Sequence, residues 1–280
     1  MRPRATLANN NLQIYNSTEI AAHYAGLSQI TPCEHLLFQK YVRDGAVVLD
    51  LGVGGGRTTP YLSNRSSAYL GLDYAPEMVR ICRAKFPNLE FKVGDASDLT
   101  DIGSHSFDAV VAAFNVLDYV IGRDKRQSCW RECYRVLKPG GVLIFSSHNP
   151  RAVVVRPAWN HQRMRRIANM IAPAEGLIGR LLYFVLSCIA AVAATMRAAL
   201  HTLRRLLRQS RYRAFWCGQG HVLDPAHGGL YTHCWVPKQA VAEVTRSGFC
   251  VLETVAGDYP SAGGQHVTDW YYYVFCKPQQ

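Results

Sequence analysis

The chain has 280 residues, 49% of them hydrophobic and 18% charged, with a formal net charge of +11 and a mean hydropathy near zero. Such a composition belongs to a globular chain with an ample core and excludes disordered, fibrous and multi-spanning membrane classes. The charge is uneven: residues 1–150 hold 16 Lys/Arg and 14 Asp/Glu, residues 151–215 hold 12 and 1, and residues 216–280 hold 3 and 5. All twelve basic residues of the middle block are arginine, so the excess is local and a molecule-wide nucleic-acid surface loses its force as an explanation. Nine scattered cysteines without a C-x-x-C pair argue against a disulfide scaffold or a structural zinc site and for a reducing compartment. The basic start MRPRATLANNNLQ leads into no apolar run or cleavage site, so no secretory signal is expected.

In chain order, Glu19–Ala25 and Pro32–Val42 read as helices, followed by a strand at Ala46–Leu51. Short apolar runs then alternate with helical stretches, the pattern of a parallel sheet covered on both faces. The strands are Ala68–Leu72, Leu89–Val93, Phe107–Ala112 and Val142–Ser147, and the helices Thr58–Ser63, Pro76–Lys85 and Asp124–Leu137. Lys138-Pro139-Gly140-Gly141 reads as a helix stop followed by a turn. Beyond the arginine block, a helix over Pro237–Ser247 ends at Gly248 and precedes strands at Phe249–Val255 and Trp270–Cys276.

The first strand runs into Asp50-Leu51-Gly52-Val53-Gly54-Gly55-Gly56-Arg57. Glycines there allow a tight strand-to-helix turn and let a ligand touch bare backbone. A dinucleotide loop starting at Gly52 would need glycine or alanine at 57, where Arg57 stands. Asp73 closes the second strand 21 residues after Gly52, where its carboxylate can accept both hydroxyls of a ribose. Asp95 and Ala96 close the third, where an acceptor side chain and a backbone N–H can read the amino edge of adenine.

With these residues in view, the segments VLDLGVGGGRTT, YLGLDYAPEMV, VGDASDL, FDAVVAAFNVLDYV and RECYRVLKPGGVLIFSS resemble the class I S-adenosylmethionine-dependent methyltransferases, in particular the small-molecule branch that includes quinone-biosynthesis enzymes. GLYTHCWVPKQAVAEVTRSGF and WYYYVFCK resemble that family's last helix and strand pair. The resemblance implies an α/β, Rossmann-like, seven-stranded and mostly parallel sheet in the order 3-2-1-4-5-7-6; after strand five, where that family usually holds a short substrate-covering segment, about 80 residues intervene here and read as a helical insertion. It also implies S-adenosyl-L-methionine as cofactor. Gly52, Gly54 and Gly56, with Asp50 before them, would face its methionine part, Asp73 the ribose, and Asp95 with Ala96 the adenine. Asn115 would lie beside the methionine and the sulfonium, and Tyr74 and Met78 could pack on the adenosine. The divisions expected are N-terminal helices over 1–45, a cofactor-binding core over 46–150, a basic apolar insertion over 151–227 and the rest of the domain over 228–280.

Methyl transfer from a sulfonium needs the acceptor positioned and one proton managed. The residues offered for the proton are His148, directly after strand five, and His221, His227, Tyr231 and His233. Ala113-Phe114-Asn115-Val116 is not the Asn/Asp/Ser-Pro-Pro-aromatic loop of adenine and glutamine N-methyltransferases, and no Pro-Cys pair follows strand four as cytosine-C5 enzymes require. The expected reaction is therefore O- or C-methylation of a small or lipid-linked metabolite such as a quinone precursor, a polyketide or a saccharide. The alternatives are a catalytically silent adaptor with this fold and, ranked lower, an RNA methyltransferase.

Within the insertion, Leu181–Met196 is 16 residues without a charge between Arg180 and Arg197. As a helix it reaches only about 24 Å, short of a span, and one crossing would separate strands that share a sheet. Arg197, His201, Arg204, Arg205 and Arg208 recur at helical spacing beside Leu200, Leu203 and Leu207. Residues 160–213 thus read as helices for an anionic membrane surface, or else as a cap on the chain's own core or on a second subunit of a homodimer. The location expected is cytoplasmic, free or peripheral on the inner face of a membrane, with nucleic acid ranked last among partners and no metal.

Overall fold

The computed structural model describes residues 11–150, 218–224, 230–260 and 268–279, together with Leu181, Val185, Cys188, Ile189, Val192 and Met196. Residues 11–15 are helical. Two longer helices follow, α1 (Thr18–Ala25), capped where Ile20 N–H donates to Ser17 Oγ, and α2 (Pro32–Tyr41), whose capping box pairs Thr31 with Glu34. A side-chain acceptor at each start satisfies N–H groups that have no partner within the helix.

Alternation of strand and helix then builds the sheet: β1 (Ala46–Leu51), α3 (Thr59–Arg65), β2 (Ser66–Asp73), α4 (Pro76–Lys85), β3 (Glu90–Val93), β4 (Phe107–Ala112), α5 (Arg123–Val136) and β5 (Leu137–His148). A 3₁₀ turn at Val116–Tyr119 separates β4 from α5. After the insertion come β6 (Gln219–Asp224), β7 (Leu230–Trp235), α6 (Pro237–Thr245), β8 (Cys250–Ala256) and β9 (Trp270–Cys276). The seven-stranded sheet has the order β3-β2-β1-β4-β5-β9-β8, with β9 antiparallel to both of its neighbours. Counted within the sheet, this is the expected 3-2-1-4-5-7-6.

Two elements differ from the sequence reading. Lys138 to Gly141 lie inside β5, not in a turn. The helix stops at Val136 as expected, but the strand starts at once, and Gly140 (φ +77°) takes up the register shift opposite Phe107 and Ala109 as a bulge does. Gln219–Asp224, assigned to the helical insertion, pair with Leu230–Trp235 in a separate two-stranded antiparallel sheet. The body of the insertion lies outside the described residues, apart from the six named above, all of them helical.

Both faces of the main sheet are buried, as a doubly wound sheet requires. On one face Leu49, Leu51, Val110, Phe145, Tyr273 and Phe275 pack with Trp130 of α5 and with Ala240 and Val244 of α6. On the other, Val48, Val111, Ile144, Tyr272 and Val274 pack with Leu37 and Phe38 of α2, Leu62 of α3 and Val79 of α4. Neighbouring residues in one strand go to opposite faces, the period of two expected of β structure.

A buried ion pair crosses the second of these layers. Arg57 donates to both oxygens of Glu34, each at 2.5 Å, and the Tyr272 hydroxyl donates to Glu34 Oε1 at 2.6 Å. Glu34 is fully buried, and its carboxyl is nonetheless held below the usual carboxylate range, because these partners outweigh the cost of burial. Breaking such a pair leaves an uncompensated buried charge. Glu34→Ala should therefore cost about 3–5 kcal/mol of stability, read as a lower urea midpoint at unchanged m-value.

Candidate active site

Gly52–Thr58 leaves β1 and is held from beneath by carboxylates at two strand ends. Gly54 N–H donates to Asp73 Oδ2 at 2.8 Å and Ala75 N–H to Asp73 Oδ1 at 2.9 Å. Thr58 Oγ1 and the Tyr69 hydroxyl donate to Asp50 Oδ2 at 2.7 and 2.9 Å. Both acids are buried, and loss of water pushes each carboxyl up to about 6, against the opposing pull of these hydrogen bonds. Gly52 has φ +66°, and a Cβ there would stand 2.2 Å from Val116 Cγ1, so this position requires glycine twice over.

One cavity at the carboxyl ends of the parallel strands brings together Asp50, Gly52, Gly54, Asp73, Tyr74, Met78, Asp95 and Ala96. Gly54 (φ +54°) faces into it: an added Cβ would meet only Tyr24 Cδ1, at 3.9 Å, and backbone of its own turn. Asp95 is fixed by Ser97, which donates its backbone N–H and its hydroxyl at 2.9 and 2.7 Å, and by Lys125 Nζ at 3.2 Å.

Two predicted residues stand elsewhere. Gly56 does not line the cavity; its φ of +83° turns its Cβ position toward Phe86 Cε2, 2.5 Å away beyond the end of α4, so its glycine serves packing. Asn115 lies between Phe114 and Val116, which do line the cavity, but its own side chain is buried and its Nδ2 meets His148 Nε2 at 3.2 Å. Phe114 and Asn115 are consecutive residues in the left-handed region, at φ 62° and 64°. Such backbone costs of order 1–3 kcal/mol per residue and clusters at functional sites. The Ser146 hydroxyl, accepting from Asn115 N–H at 2.7 Å, helps to hold it.

Several lining residues gave no sequence signal. Arg57, the residue that breaks the dinucleotide pattern, lines the cavity while bound to Glu34 and lies 4.7 Å from the Phe114 ring centre. Tyr15 brings its ring 5.5–6.0 Å from those of Tyr24, Tyr74 and Tyr119, and all four line the cavity. Their contacts join the N-terminal helices, β2's end and the 3₁₀ turn, which no local pattern couples.

His148 ends β5 with its Nδ1 2.7 Å from Asp118 Oδ2; its backbone N–H reaches the same oxygen at 2.8 Å, and the Ser147 hydroxyl donates to Asp118 Oδ1 at 2.5 Å. Asp118 is buried, which raises its carboxyl against the pull of His148. With Nδ1–H given to Asp118, Nε2 is the acceptor nitrogen of the neutral ring. The His148 ring is edge-on to Tyr119 at 6.5 Å, one side chain back from the cavity. The other proton candidates lie farther off. His233 is buried, burial drives its imidazole down to about 2, and it packs edge-on against Trp235 at 4.7 Å. His221 stacks on Tyr231 at 5.0 Å. His227 is outside the described residues.

Residues 49–145 match the methyltransferase domain family. Among curated relatives, the arsenite methyltransferase of Aquipseudomonas alcaligenes is 33% identical over 142 residues, 46% of this chain and 38% of that one. The ubiquinone biosynthesis O-methyltransferase of Xanthomonas oryzae is 33% identical over 109 residues, 38% of this chain and 44% of that one. The demethylmenaquinone methyltransferase of Chlorobaculum parvum is 37% identical over 114 residues, 40% and 45% respectively. The chain thus spans less than half the length of these relatives. Among solved structures, the 1,6-didemethyltoxoflavin-N1-methyltransferase of Burkholderia thailandensis, with S-adenosylhomocysteine bound, is 14% identical at a TM-score of 0.57, covering 98% of this chain and 88% of that one. The CcbJ methyltransferase of Streptomyces caelestis has a TM-score of 0.58 at 16% identity, covering 95% and 98%. The matched segment begins in β1 and ends in β5, the stretch that carries the glycine loop and its strand-end acids, so the chain carries a methyltransferase domain there, and its sheet has the Rossmann-like fold of S-adenosylmethionine-dependent methyltransferases.

Proposed function

We propose that this chain methylates an O or C atom of a small or lipid-linked metabolite, of quinone-precursor, polyketide or saccharide type. The carrying observation is a single cavity with two unlike walls. The glycine loop with Asp73 and Asp95 forms a polar wall with the acceptors an adenosine needs. Tyr15, Phe114, Tyr119, Val120 and Ile121 form an apolar, aromatic one, suited to a hydrophobic or planar acceptor. The activities of the quinone-pathway relatives support that acceptor class. A thiophilic acceptor such as arsenite would call for accessible low-pKa thiolates, whereas no described cavity residue is a cysteine, and Cys82, whose thiol donates to Gly54 O, is pushed up to about 12 by burial.

The cofactor supplies a methyl group on a positively charged sulfur, already activated for transfer. This chain's own residues then have two tasks. Gly52, Gly54, Asp73 and Asp95 fix where the methyl points, and the aromatic wall sets the acceptor in line with it. In this reading the acceptor's proton passes to His148 Nε2, where it takes the place of the Asn115 Nδ2 hydrogen bond, while Asp118 orients the ring through Nδ1 and would stabilise its imidazolium.

Calorimetric titration with S-adenosylmethionine and S-adenosylhomocysteine, followed by transfer of labelled methyl to soluble and lipid extracts, tests the reading. Binding without transfer to any component would favour the adaptor. Asp73→Asn should weaken cofactor binding by about 1.5–3 kcal/mol, since a charged acceptor of two hydroxyl hydrogen bonds is lost.

The elevated Asp73 carboxyl gives the pH sign. Hydroxyl donors favour the ionised form, so the free protein must release a proton to bind, and affinity should fall as pH drops through about 6. At pH 5 the loss relative to neutral pH should be about tenfold. Asp73→Asn should flatten the profile; if Asp50→Asn flattens it instead, the titrating group is Asp50. With an acceptor in hand, His148→Asn should lower kcat by about 10²–10⁴ and leave the cofactor affinity unchanged. An unchanged kcat would remove His148 from the mechanism.

A further inference from the structure

We propose that Cys250 and Cys276 are a redox pair, two thiols that close into a disulfide across the edge of the main sheet when a disulfide oxidant reaches them, and so staple β8 to β9. Among the described free cysteines, Cys33, Cys82, Cys129, Cys133 and Cys234 are buried, which shields a thiol from reagents. Cys250 is exposed and Cys276 half-buried. They stand directly opposite each other in the antiparallel pairing of β8 with β9.

Register brings the two thiols within bonding reach. Directly opposed residues of an antiparallel pair keep their Cα atoms about 4.5–5.5 Å apart, inside the range of about 4.4–6.8 Å that disulfides bridge. Opposed side chains also share one face of the sheet. The register shift of this strand pair falls between Val251 and Glu253, so it does not separate them. On its other side Cys276 has Val142 of β5 opposite it, which leaves Cys250 as its cross-strand thiol. The Cys276 thiol is held above its usual range, first by burial and then by the charge a neighbouring Cys250 thiolate would carry.

Exchange with glutathione disulfide needs no other reactant. The Cys250 thiolate attacks one sulfur of glutathione disulfide, whose S–S bond breaks and releases one glutathione as a thiolate. The Cys276 thiolate then attacks Cys250 Sγ and expels the second glutathione. Two protein thiols are oxidised, one disulfide is reduced to two thiols, and the protons lost by the protein end on glutathione. A reducing compartment keeps the pair open.

The bond would act on the weakest border of the sheet. β8 is an edge strand that pairs only with β9, and Glu253 ties its middle to α2 through Lys40 Nζ at 2.8 Å and the Tyr41 hydroxyl at 2.6 Å. Its first three residues, Cys250, Val251 and Leu252, are exposed, and a strand end of that kind opens locally. Cys276 pairs with Val142 in the first half of β5, away from the carboxyl ends of the parallel strands where the cavity lies. The staple is therefore independent of the reaction proposed above.

The full chain, reduced and then incubated with glutathione disulfide, is alkylated, digested and read by mass spectrometry. The expected product is a pair of peptides joined through Cys250 and Cys276, lighter by two hydrogens than the separate peptides and parted again by dithiothreitol. Amide hydrogen exchange at Cys250, Val251 and Leu252 should slow at least about tenfold on oxidation. Cys250→Ser, a change at an exposed position, should abolish both effects. Glutathione retained on Cys250 beside an alkylated Cys276, or a disulfide between two copies of the chain on a non-reducing gel, would overturn the pair. A joined pair with unchanged exchange would overturn the staple.

Discussion

Three buried carboxylates hold one loop, and the site is built around that restraint. Asp73 fixes Gly54 from β2, Asp50 fixes Thr58 from β1, and Glu34 fixes Arg57 from α2. Each acid loses water on burial, a cost that only several well-placed donors offset. For Glu34 the guanidinium and a tyrosine hydroxyl more than offset it, and its carboxyl stays low. Asp50 and Asp73 have neutral donors only, and both are pushed up to about 6. These two carboxylates keep unspent affinity for further donors, the property a ligand with hydroxyl groups can use.

The loop alone does not make a cavity; its roof comes from distant parts of the chain. The backbone of Tyr24 closes over Gly55 so tightly that a Cβ there would stand 2.3 Å from the Tyr24 carbonyl oxygen. Tyr15 joins Tyr74 and Tyr119 from the same N-terminal layer, and Asn11 locks that layer to β7 with a pair of hydrogen bonds like those of a strand edge. The extra β6–β7 sheet is therefore tied to the roof. Polar recognition sits on the parallel sheet, while the apolar wall is assembled from segments far apart in the chain.

The acid–histidine pair shows how strand-end geometry creates chemistry. Asn115 and Phe114 are driven into left-handed backbone where β4 stops, and the following turn buries Asp118 under β5, where Ser147 and His148 both donate to it. An imidazole whose Nδ1 is anchored to a carboxylate has one defined tautomer and orientation, which an isolated histidine at a strand end would lack.

Much of the sheet was legible in the sequence because its signals are local. Glycines at 52 and 54, the acids Asp50, Asp73 and Asp95, and apolar runs of strand length each act through their own backbone or their nearest strand neighbour. The strand order followed from resemblance, and pairing register bears it out. Gly56 and Asn115 were assigned to the ligand because spacing does not reveal side-chain direction: a positive φ turns Gly56 toward Phe86, and a left-handed residue turns Asn115 toward His148. Arg57, Glu34, Asp118, Tyr15, Tyr24 and Tyr119 had no readable role, since each acts on a partner far along the chain, up to 238 residues away for Glu34 and Tyr272. The β6–β7 hairpin was hidden for the same reason, its pairing being set by its partner and not by its own pattern. The sequence by itself thus determined which backbone turns and charges could meet a cofactor. Only the tertiary structure decided which side chains face the cavity, because burial and long-range hydrogen bonding orient them.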